Sequence, residues 1–199
     1  MTTRRMIIGI TGASGVTYGV RLLEELRVLG IETHLVLSKA AHLTIDHELD
    51  ISVRQVKELA DVVHPVHDVA ASISSGSFPT MGMIIAPCSV RSLAEVATGV
   101  TTTLLSRAAD VTLKERRRLT LLVRETPLSL VHIRNMAAVT EMGGVIFPPL
   151  PSFYTAPNSI EDLVDGTVGR VLDLYGLDSQ ITPRWEGTPP PRYPKGITS

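Results

Sequence analysis

Glycines and hydroxyl side chains follow the first apolar run of the chain, and this combination is typical of an anion-binding turn. Residues 6–8 are apolar, the stretch Gly9-Ile10-Thr11-Gly12-Ala13-Ser14-Gly15 follows, and four leucines at helical spacing lie between residues 22 and 29. Between a strand and a helix, glycines let the backbone approach a ligand, while N–H groups and the helix dipole favour a phosphate. Thr11 and Ser14 add hydroxyl donors to this predicted phosphate site.

The glycine spacing indicates which class of nucleotide site is present. It is G-x-x-G-x-x-G, whereas dinucleotide sites have G-x-G-x-x-G and an acidic residue after the second strand. The second strand, predicted over 32–37, ends in Ser38 instead of an acid. The turn therefore predicts a mononucleotide site. A tight turn that only packs a helix on a strand is the alternative.

Polar residues also follow three other predicted strands. Ser38 is a candidate both for a helix N-cap and for a ligand contact. The apolar run 81–86 ends in Pro87-Cys88-Ser89, which repeats the plan of the first unit and suggests one ligand between two strand ends. The run 119–123 ends directly in Arg124-Glu125, and the planar fork of an arginine suits a phosphate.

Other polar residues have an ordinary structural interpretation. Glu48 and Asp50 follow a predicted helix, and from residue type alone we expect them to face solvent. The small, hydroxyl-rich segment 71–77 is either a surface loop or a loop folded over a ligand. His64 and His67 have a spacing compatible with metal ligation. Without a neighbouring array of carboxylates or cysteines, we expect no metal.

Strands and helices that would position these residues alternate along the chain. Apolar runs predict strands at 6–11, 32–37, 81–86, 119–123 and 143–147, and helical spacing predicts helices at 15–29, 39–45, 53–60, after 89, from 104, 128–141 and from 158. This alternation predicts a single α/β domain with a mostly parallel sheet over residues 1–186, followed by a Pro-rich tail over 187–199.

Three details of these elements concern charged residues. The basic run 114–118, at the end of one helix, is expected to be mostly solvated. The residues from Asn158 to Glu161 have the spacing of a capping box for the last helix. Arg170 follows Leu163 by seven residues, so we expect it to border the buried stripe of that helix and to be half-buried.

Composition excludes several classes of partner. The chain has 199 residues, a formal net charge of −1 and one cysteine. Its near-neutral charge offers no attraction to nucleic acid or an anionic membrane. A single cysteine forms neither an internal disulfide nor a cysteine-based zinc site, and a reduced, cytoplasmic compartment is the simplest expectation. A mean hydropathy of +0.21 with 20% charged residues hints at oligomer interfaces.

Seven stretches, taken in order, resemble the UbiX/Pad-type flavin prenyltransferase family. They are Gly-Ile-Thr-Gly-Ala-Ser-Gly at 9–15, Ser-Lys-Ala-Ala at 38–41, Ser-Ser-Gly-Ser at 74–77, Pro-Cys-Ser at 87–89, Arg-Ala-Ala-Asp-Val-Thr-Leu-Lys-Glu-Arg-Arg at 107–117, Arg-Glu-Thr-Pro at 124–127 and Pro-Ser-Phe-Tyr at 151–154. One such motif is weak, but their joint order is specific. The resemblance covers about residues 5–186 and leaves the tail outside.

This resemblance implies a fold, an assembly and a reaction. The fold would be a flavodoxin-like (Rossmann-like) three-layer α/β domain, and the assembly a homododecamer. The reaction would transfer a dimethylallyl group from dimethylallyl phosphate to N5 and C6 of reduced FMN, without a metal. The product, prenylated FMN, would serve a partner UbiD-type decarboxylase.

The resemblance also implies roles for individual residues. FMN would be held by Gly12, Ala13, Ser14, Ser38, Ser89, Val90, Arg91, Ser92 and Arg124. The prenyl donor and the flavin edge would be contacted by Ser75, Ser77, Lys114, Arg124, Tyr154, Arg170 and Trp185. For Tyr154 and Trp185, ordinary packing is the alternative. The catalytic residues would be Ser14 near N5, Glu48 as acid or base in ring closure, and Glu125 beside the donor phosphate.

Two other functions compete with the transferase. An FMN-dependent decarboxylase of homologous fold would be expected to carry a catalytic histidine and an Ala-Ser-Ala-Asn-type motif, where this chain has Ala86-Pro87-Cys88-Ser89-Val90. An FMN-binding carrier or chaperone for a partner decarboxylase is the second alternative. A carrier would have no need of the second phosphate clamp that Lys114, Glu125, Tyr154 and Arg170 suggest.

Overall fold

The computed structural model describes residues 4–182 and residue 187. The chain divides into two compact units, residues 1–149 and residues 150–199, and each is described by itself. Trp185 and nearly all of the predicted tail lie outside the described residues.

The first unit is built on a parallel sheet of six strands. The strands are β1 (Arg5–Ile10), β2 (Glu32–Leu37), β3 (Val62–His64), β4 (Gly82–Cys88), β5 (Arg118–Val123) and β6 (Val145–Ile146). Their order is β3-β2-β1-β4-β5-β6, and every pairing is parallel. All seven residues of β4 are buried, as expected of a strand covered on both faces. The predicted flavodoxin-like α/β class is confirmed.

Six helices of the first unit connect these strands. They are α1 (Val16–Val28), α2 (Lys39–Glu48), α3 (Val53–Glu58), α4 (Val90–Thr98), α5 (Leu104–Lys114) and α6 (Leu130–Glu141). The predicted leucine stripe of α1 buries Leu22, Leu23 and Leu26 completely, and each such side chain contributes about 1.5–3 kcal/mol. The α1 helix lies so close to the sheet that a Cβ on Gly19 would be 2.4 Å from the Ala86 carbonyl oxygen.

The strand order places a crevice beside β1. Strand β1 pairs with β2 on one side and with β4 on the other, so the connections leave β1 in opposite directions. In parallel α/β sheets, ligands bind at the carboxyl ends of the strands at such a switch point. The residues that follow β1, β2, β4 and β5 are therefore the ones whose positions matter for function.

Element boundaries differ from the predictions where glycines and caps intervene. Strand β6 has two residues instead of five, because Gly143, with φ of 92°, and Gly144 are used to end α6. The helix of the second unit, α7 (Ile160–Asp173), has a capping box formed by Ser159 and Asp162. The sequence analysis placed this capping box one residue earlier, at Asn158 and Glu161.

The second unit consists of α7 and the segments around it. A short 3-10 turn, Phe153–Thr155, precedes the helix. After α7 the chain returns along the helix, so that a Cβ on Gly169 would be 2.4 Å from Thr182 Cγ2. Among the described residues of both units, no helix combines the length and the apolar character needed to cross a bilayer.

Candidate functional site

Backbone hydrogen bonds join the loops that follow the central strands into one edge. The Ser38 N–H donates to the Ile10 carbonyl (3.0 Å), and the Arg124 N–H donates to the Cys88 carbonyl (3.1 Å). The structure thus brings together the ends of β2, β1, β4 and β5, as the sequence predicted. Residues expected to hold the mononucleotide follow each of these four strands.

Thr11 has a structural role at this edge. Its hydroxyl donates to the Pro87 carbonyl (2.8 Å) and accepts from the Ser89 N–H (2.8 Å). Thr11 is 1% exposed. The sequence suggested that this hydroxyl donates to a phosphate. Instead, it holds the loop after β4 against the loop after β1.

Gly12 lies where the turn after β1 meets the first turn of α2. A Cβ on Gly12 would be 2.4 Å from the Ala40 Cβ and 3.2 Å from the Ala40 carbonyl carbon. Glycine is required here by this close approach. Ser38 is the N-cap of α2, and its Oγ accepts from the Ala41 N–H (3.2 Å). The predicted cap is confirmed, and the contact of Ser38 with a ligand stays a prediction.

Glu48 is bound to the N-terminus of α1. Its Oε2 accepts from the N–H groups of Gly15 (2.8 Å) and Val16 (3.2 Å). Gly15 has φ of 100°, which aims its N–H out of the turn at little steric cost. Glu48 is exposed, as expected, but it also accepts these two hydrogen bonds. The placement of a phosphate on the same N–H groups stays a prediction. The chain's own carboxylate complements this helix dipole.

A second helix N-terminus lies at the same edge and offers donors of its own. The Ser89 Oγ caps α4 by accepting from the Ser92 N–H (3.3 Å), and the two hydroxyls are 3.2 Å apart. The N–H groups of Val90 and Arg91 belong to the first turn, where no helical carbonyl accepts from them. The exposed Arg91 side chain pairs with Glu95 (3.1 Å).

Arg124 and Glu125 follow β5 directly. The Arg124 side chain is exposed, and within the described ranges its guanidinium has no hydrogen-bond or ion-pair partner. The half-buried Glu125 turns back on the chain, since its Oε1 accepts from the Thr126 N–H (3.0 Å). The guanidinium is thus available to an anion, whereas the Glu125 carboxylate already accepts one hydrogen bond.

The serine loop, residues 72–77, is held by a residue that the sequence analysis expected to be solvated. The half-buried Arg117 guanidinium donates to the carbonyls of Gly76 (2.6 Å) and Phe78 (2.7 Å). Ser75 and Ser77 are exposed, with their hydroxyls 2.9 Å apart. An isolated run of basic residues gave no sign that one of them bridges to a distant loop.

The same loop contacts the end of α5. Lys114 forms an ion pair with Glu115, and a Cβ on Gly76 would touch the Glu115 carboxylate. The hydrogen bond from Lys114 and the charge beside it hold the pKa of the Glu115 carboxyl below its usual range. Lys114, Ser75 and Ser77 are therefore brought into one neighbourhood, although Lys114 already has an anionic partner.

Two predicted site residues, Tyr154 and Arg170, lie in the described part of the second unit, and both are exposed. Tyr154 is 50% exposed. The Arg170 side chain is 58% exposed and paired with Asp173 (2.7 Å), so the expectation that it is half-buried was wrong. It lines an open hollow of about 400 Å³ together with Asp173 and Asp178. Two acidic residues beside Arg170 make this hollow less attractive to an anion.

Thiol and metal chemistry are unsupported. Cys88 is fully buried, and burial raises the pKa of its thiol well above the usual range, which keeps the thiol protonated. Among the residues that the structure describes, no three histidine, cysteine or carboxylate side chains converge as a metal site requires. At this edge the described residues offer the Glu48 carboxylate, and backbone N–H groups, hydroxyls and an arginine that can bind an anion.

These donors fit a phosphorylated mononucleotide. The open N-terminus of α4 offers hydroxyls and N–H groups to a phosphate. The turn at Gly12 to Gly15 has a surface without bulky side chains, with the Glu48 carboxylate beside it. A planar ring lying against this turn would be within reach of an acid–base group.

Comparison with known proteins agrees with this interpretation. The Flavoprotein family matches residues 1–172. Flavin prenyltransferase UbiX of Escherichia coli K12 is 54% identical over 187 residues, covering 92% of this chain and 99% of that protein. The crystal structure of AnUbiX (PadA1) with FMN and dimethylallyl pyrophosphate superposes with a TM-score of 0.93 at 52% identity, covering 94% of this chain and all of the other. A dodecameric FMN-dependent UbiX-like decarboxylase from Escherichia coli O157:H7 superposes with a TM-score of 0.90 at 49% identity, covering 92% of this chain and all of that one.

Proposed function

This chain belongs to the UbiX/PAD1 flavin prenyltransferases of the Flavoprotein family, and from that membership we propose that it transfers a dimethylallyl group from dimethylallyl phosphate to reduced FMN. Reduced FMN supplies the nucleophilic ring positions, N5 and C6, and leaves as prenylated FMN for a UbiD-type decarboxylase. The observation that carries this proposal is the Glu48 carboxylate on the Gly15 N–H at the crevice beside β1. A flavin carrier could use this carboxylate only as a cap for α1, whereas a transferase also needs a group that accepts a proton.

The FMN phosphate is assigned to the N-terminus of α4. Support comes from a contrast between two helix N-termini at this edge. Glu48 already accepts from the N-terminus of α1, whereas the N-terminus of α4 presents the hydroxyls of Ser89 and Ser92. The N–H groups of Val90 and Arg91 would complete this phosphate site. The exposed guanidinium of Arg124 would add charge from the neighbouring strand end.

The isoalloxazine ring is assigned to the turn that Gly12, Ala13 and Ser14 form. Ser14 is exposed and directly precedes Gly15, whose N–H binds Glu48. Ser14 and Glu48 would serve proton transfer during ring closure. Two backbone N–H groups, those of Gly15 and Val16, donate to Glu48 and hold its carboxylate beside this turn.

The donor phosphate needs cations because a phosphate monoester is a poor leaving group. Lys114 and Arg124 would stabilise its developing charge without a metal, with Glu125 beside it and Ser75 and Ser77 covering the flavin edge. For Tyr154 and Arg170 the same role rests on the resemblance alone. The solved relative holds dimethylallyl pyrophosphate, so both donors belong in the test.

Assembly into a homododecamer is proposed from the relative and from one exposed face. The segment leading into α6, and α6 itself, expose Leu128, Leu130, Val131 and Ile133, each between 46% and 61%. Apolar side chains grouped in this way mark a protein interface. The proposed location is the cytoplasm.

The test is anaerobic incubation of the protein with reduced FMN and either donor, followed by mass spectrometry of the released flavin. A gain of one C5 unit that Arg124→Met abolishes supports the transferase and the clamp. Unmodified FMN at full occupancy would contradict the transferase and favour the carrier. Loss of CO₂ from an added carboxylic acid would favour the decarboxylase.

A further inference from the structure

A cavity of about 320 Å³ lies where β2 and β3 end, at the edge of the sheet that β3 forms. Its floor is apolar and includes Leu37 and Val66. Its polar lining consists of Lys39, His42, Lys57, His64 and His67. The cavity is thus walled by α2, α3 and the chain from β3 onward, and its size suits a small molecule.

The lining is basic, and most of its cationic or titratable side chains are unpaired. It contains two lysines, three histidines and no carboxylate. In the part of the chain that the structure describes, the side chains of Lys39, His42, Lys57 and His67 have no hydrogen-bond or ion-pair partner. The histidines do not converge as a metal site would. Unpaired cations around a cavity favour an anion.

His64 is the one lining side chain with an internal partner. Its Nε2 is 2.9 Å from His34 Nδ1, and His34 Nε2 is 2.9 Å from Glu32 Oε1. Hydrogen bonds from His34 and Arg5 lower the pKa of the Glu32 carboxyl, so Glu32 is ionised and only accepts. His34 Nε2 therefore carries a proton.

This chain of hydrogen bonds fixes the tautomer of His64. With both rings neutral, His34 Nδ1 must accept, so that His64 Nε2 donates to it and His64 Nδ1 is left without a proton. Protonation of His64 then adds an N–H donor at Nδ1 and a positive charge to the cavity wall. The wall becomes more attractive to an anion as the pH falls.

We propose that this cavity is a second anion site, which binds a small phosphate-bearing molecule or free phosphate through Lys39, Lys57 and the three histidines. It is separate from the flavin phosphate site, because β1 lies between β2 and the strand that leads into α4. The proposal holds whether or not the chain is a prenyltransferase.

The experiment is calorimetric titration of the FMN-loaded protein with inorganic phosphate and, separately, with glycerol phosphate. Saturable binding that Lys57→Met weakens about tenfold or more is the expected result, since a charge-assisted contact contributes about 1.5–3 kcal/mol. Arg54→Met is the control, because Arg54 lies on the same helix, pairs with Glu58 and does not line the cavity. Tighter binding of glycerol phosphate would identify a phosphate ester as the ligand, and tighter binding of phosphate the free ion.

Two results of these titrations would overturn the proposal. One is equal affinity of Lys57→Met and the parent protein, and the other is binding only when FMN is absent, which would place the anion in the flavin site. Sulfate, whose charge is constant, tests the pH dependence. Burial and then the neighbouring His34 lower the pKa of His64, while Asp68 acts in the opposite direction. The affinity for sulfate should therefore rise from pH 8 to pH 5, mostly at the acid end of that range. The titratable and charged groups that face His64 are His34 from β2, Lys39 and His42 from α2, Lys57 from α3, and His67 and Asp68 after β3. Constant affinity would also contradict it.

Discussion

The Glu48 carboxylate lies 2.8 Å from the backbone nitrogen of Gly15 and joins the end of α2 to the start of α1. A carboxylate on α2 thus caps the N-terminus of α1, and the two contacting residues are 33 positions apart in the chain. The same contact neutralises the helix dipole and holds an acid–base group against the glycine turn.

Glu48→Gln should separate these two roles. The amide oxygen still accepts from the Gly15 N–H, so we expect the free energy of unfolding to change by only about 1 kcal/mol. Proton transfer is lost, and prenylation should slow by about 10²-fold or more. Single-turnover flavin mass spectrometry measures the rate. Asp46→Asn, an exposed acid on the same helix, is the control. Unchanged turnover would remove Glu48 from the catalytic group.

Gly12→Ala should destabilise the turn and weaken FMN binding. The added Cβ would be 2.4 Å from the Ala40 Cβ, and overpacking of this kind costs about 1–3 kcal/mol. Ala40→Gly in the same protein removes the closest contact and should restore part of the loss. Gly166→Ala is the matched control, since a Cβ there meets nothing within 4 Å. Urea unfolding and flavin fluorescence titration measure both effects. An additive double mutant would contradict the steric explanation.

Thr11→Val keeps the shape of a buried residue and removes its hydroxyl. The Ser89 N–H then loses its acceptor and the Pro87 carbonyl one of its donors, for which we expect about 2 kcal/mol of destabilisation. FMN affinity should fall as well, because Ser89 caps the proposed phosphate site. Thr11→Ser, which keeps the hydroxyl, should retain FMN affinity. Equal losses in the two variants would show that packing, not the hydrogen bonds, is responsible.

Arg117→Met should loosen the serine loop. Two charge-assisted bonds to the Gly76 and Phe78 carbonyls are removed, at a cost of about 1.5–3 kcal/mol. Amide hydrogen exchange in residues 72–78 should accelerate, and KM for the prenyl donor should rise. Arg116→Met removes a neighbouring exposed cation and is the control. Unchanged exchange in the loop would show that another contact holds it.

Stability should decline in acid partly through Glu32. Hydrogen bonds from His34 and then Arg5 lower the pKa of this carboxyl from its usual value near 4.5. A carboxyl whose pKa is lower in the folded state stabilises the protein above its unfolded pKa, and this contribution disappears as the pH falls through the folded pKa. Glu32→Gln should therefore flatten the dependence of unfolding free energy on pH below about 4.5. Glu141→Gln, an exposed acid on α6, should leave that dependence unchanged.

Local patterns in the sequence were sufficient for most elements of the first unit. Continuous apolar runs predicted β1, β4 and β5, because strands buried on both faces need such runs. Ser38 was predicted as a cap, since a short hydroxyl side chain can reach the N–H three residues ahead. The order of the motifs was sufficient for the family, because each motif lies at the end of a strand or on its following loop.

The tertiary structure alone decided which polar groups are already used. Thr11 and Ser14 are both hydroxyl residues of one turn. The Thr11 hydroxyl forms hydrogen bonds with backbone groups 76 and 78 residues away in the chain. Glu48 looked like a solvent-facing acid, and Arg117 like one of several solvated cations. Their partners are backbone groups of distant loops, and such pairing depends on chain crossings that no local spacing encodes. The sequence determined the types and order of the site residues. The fold determined which of them keep a hydrogen-bonding group available to a ligand.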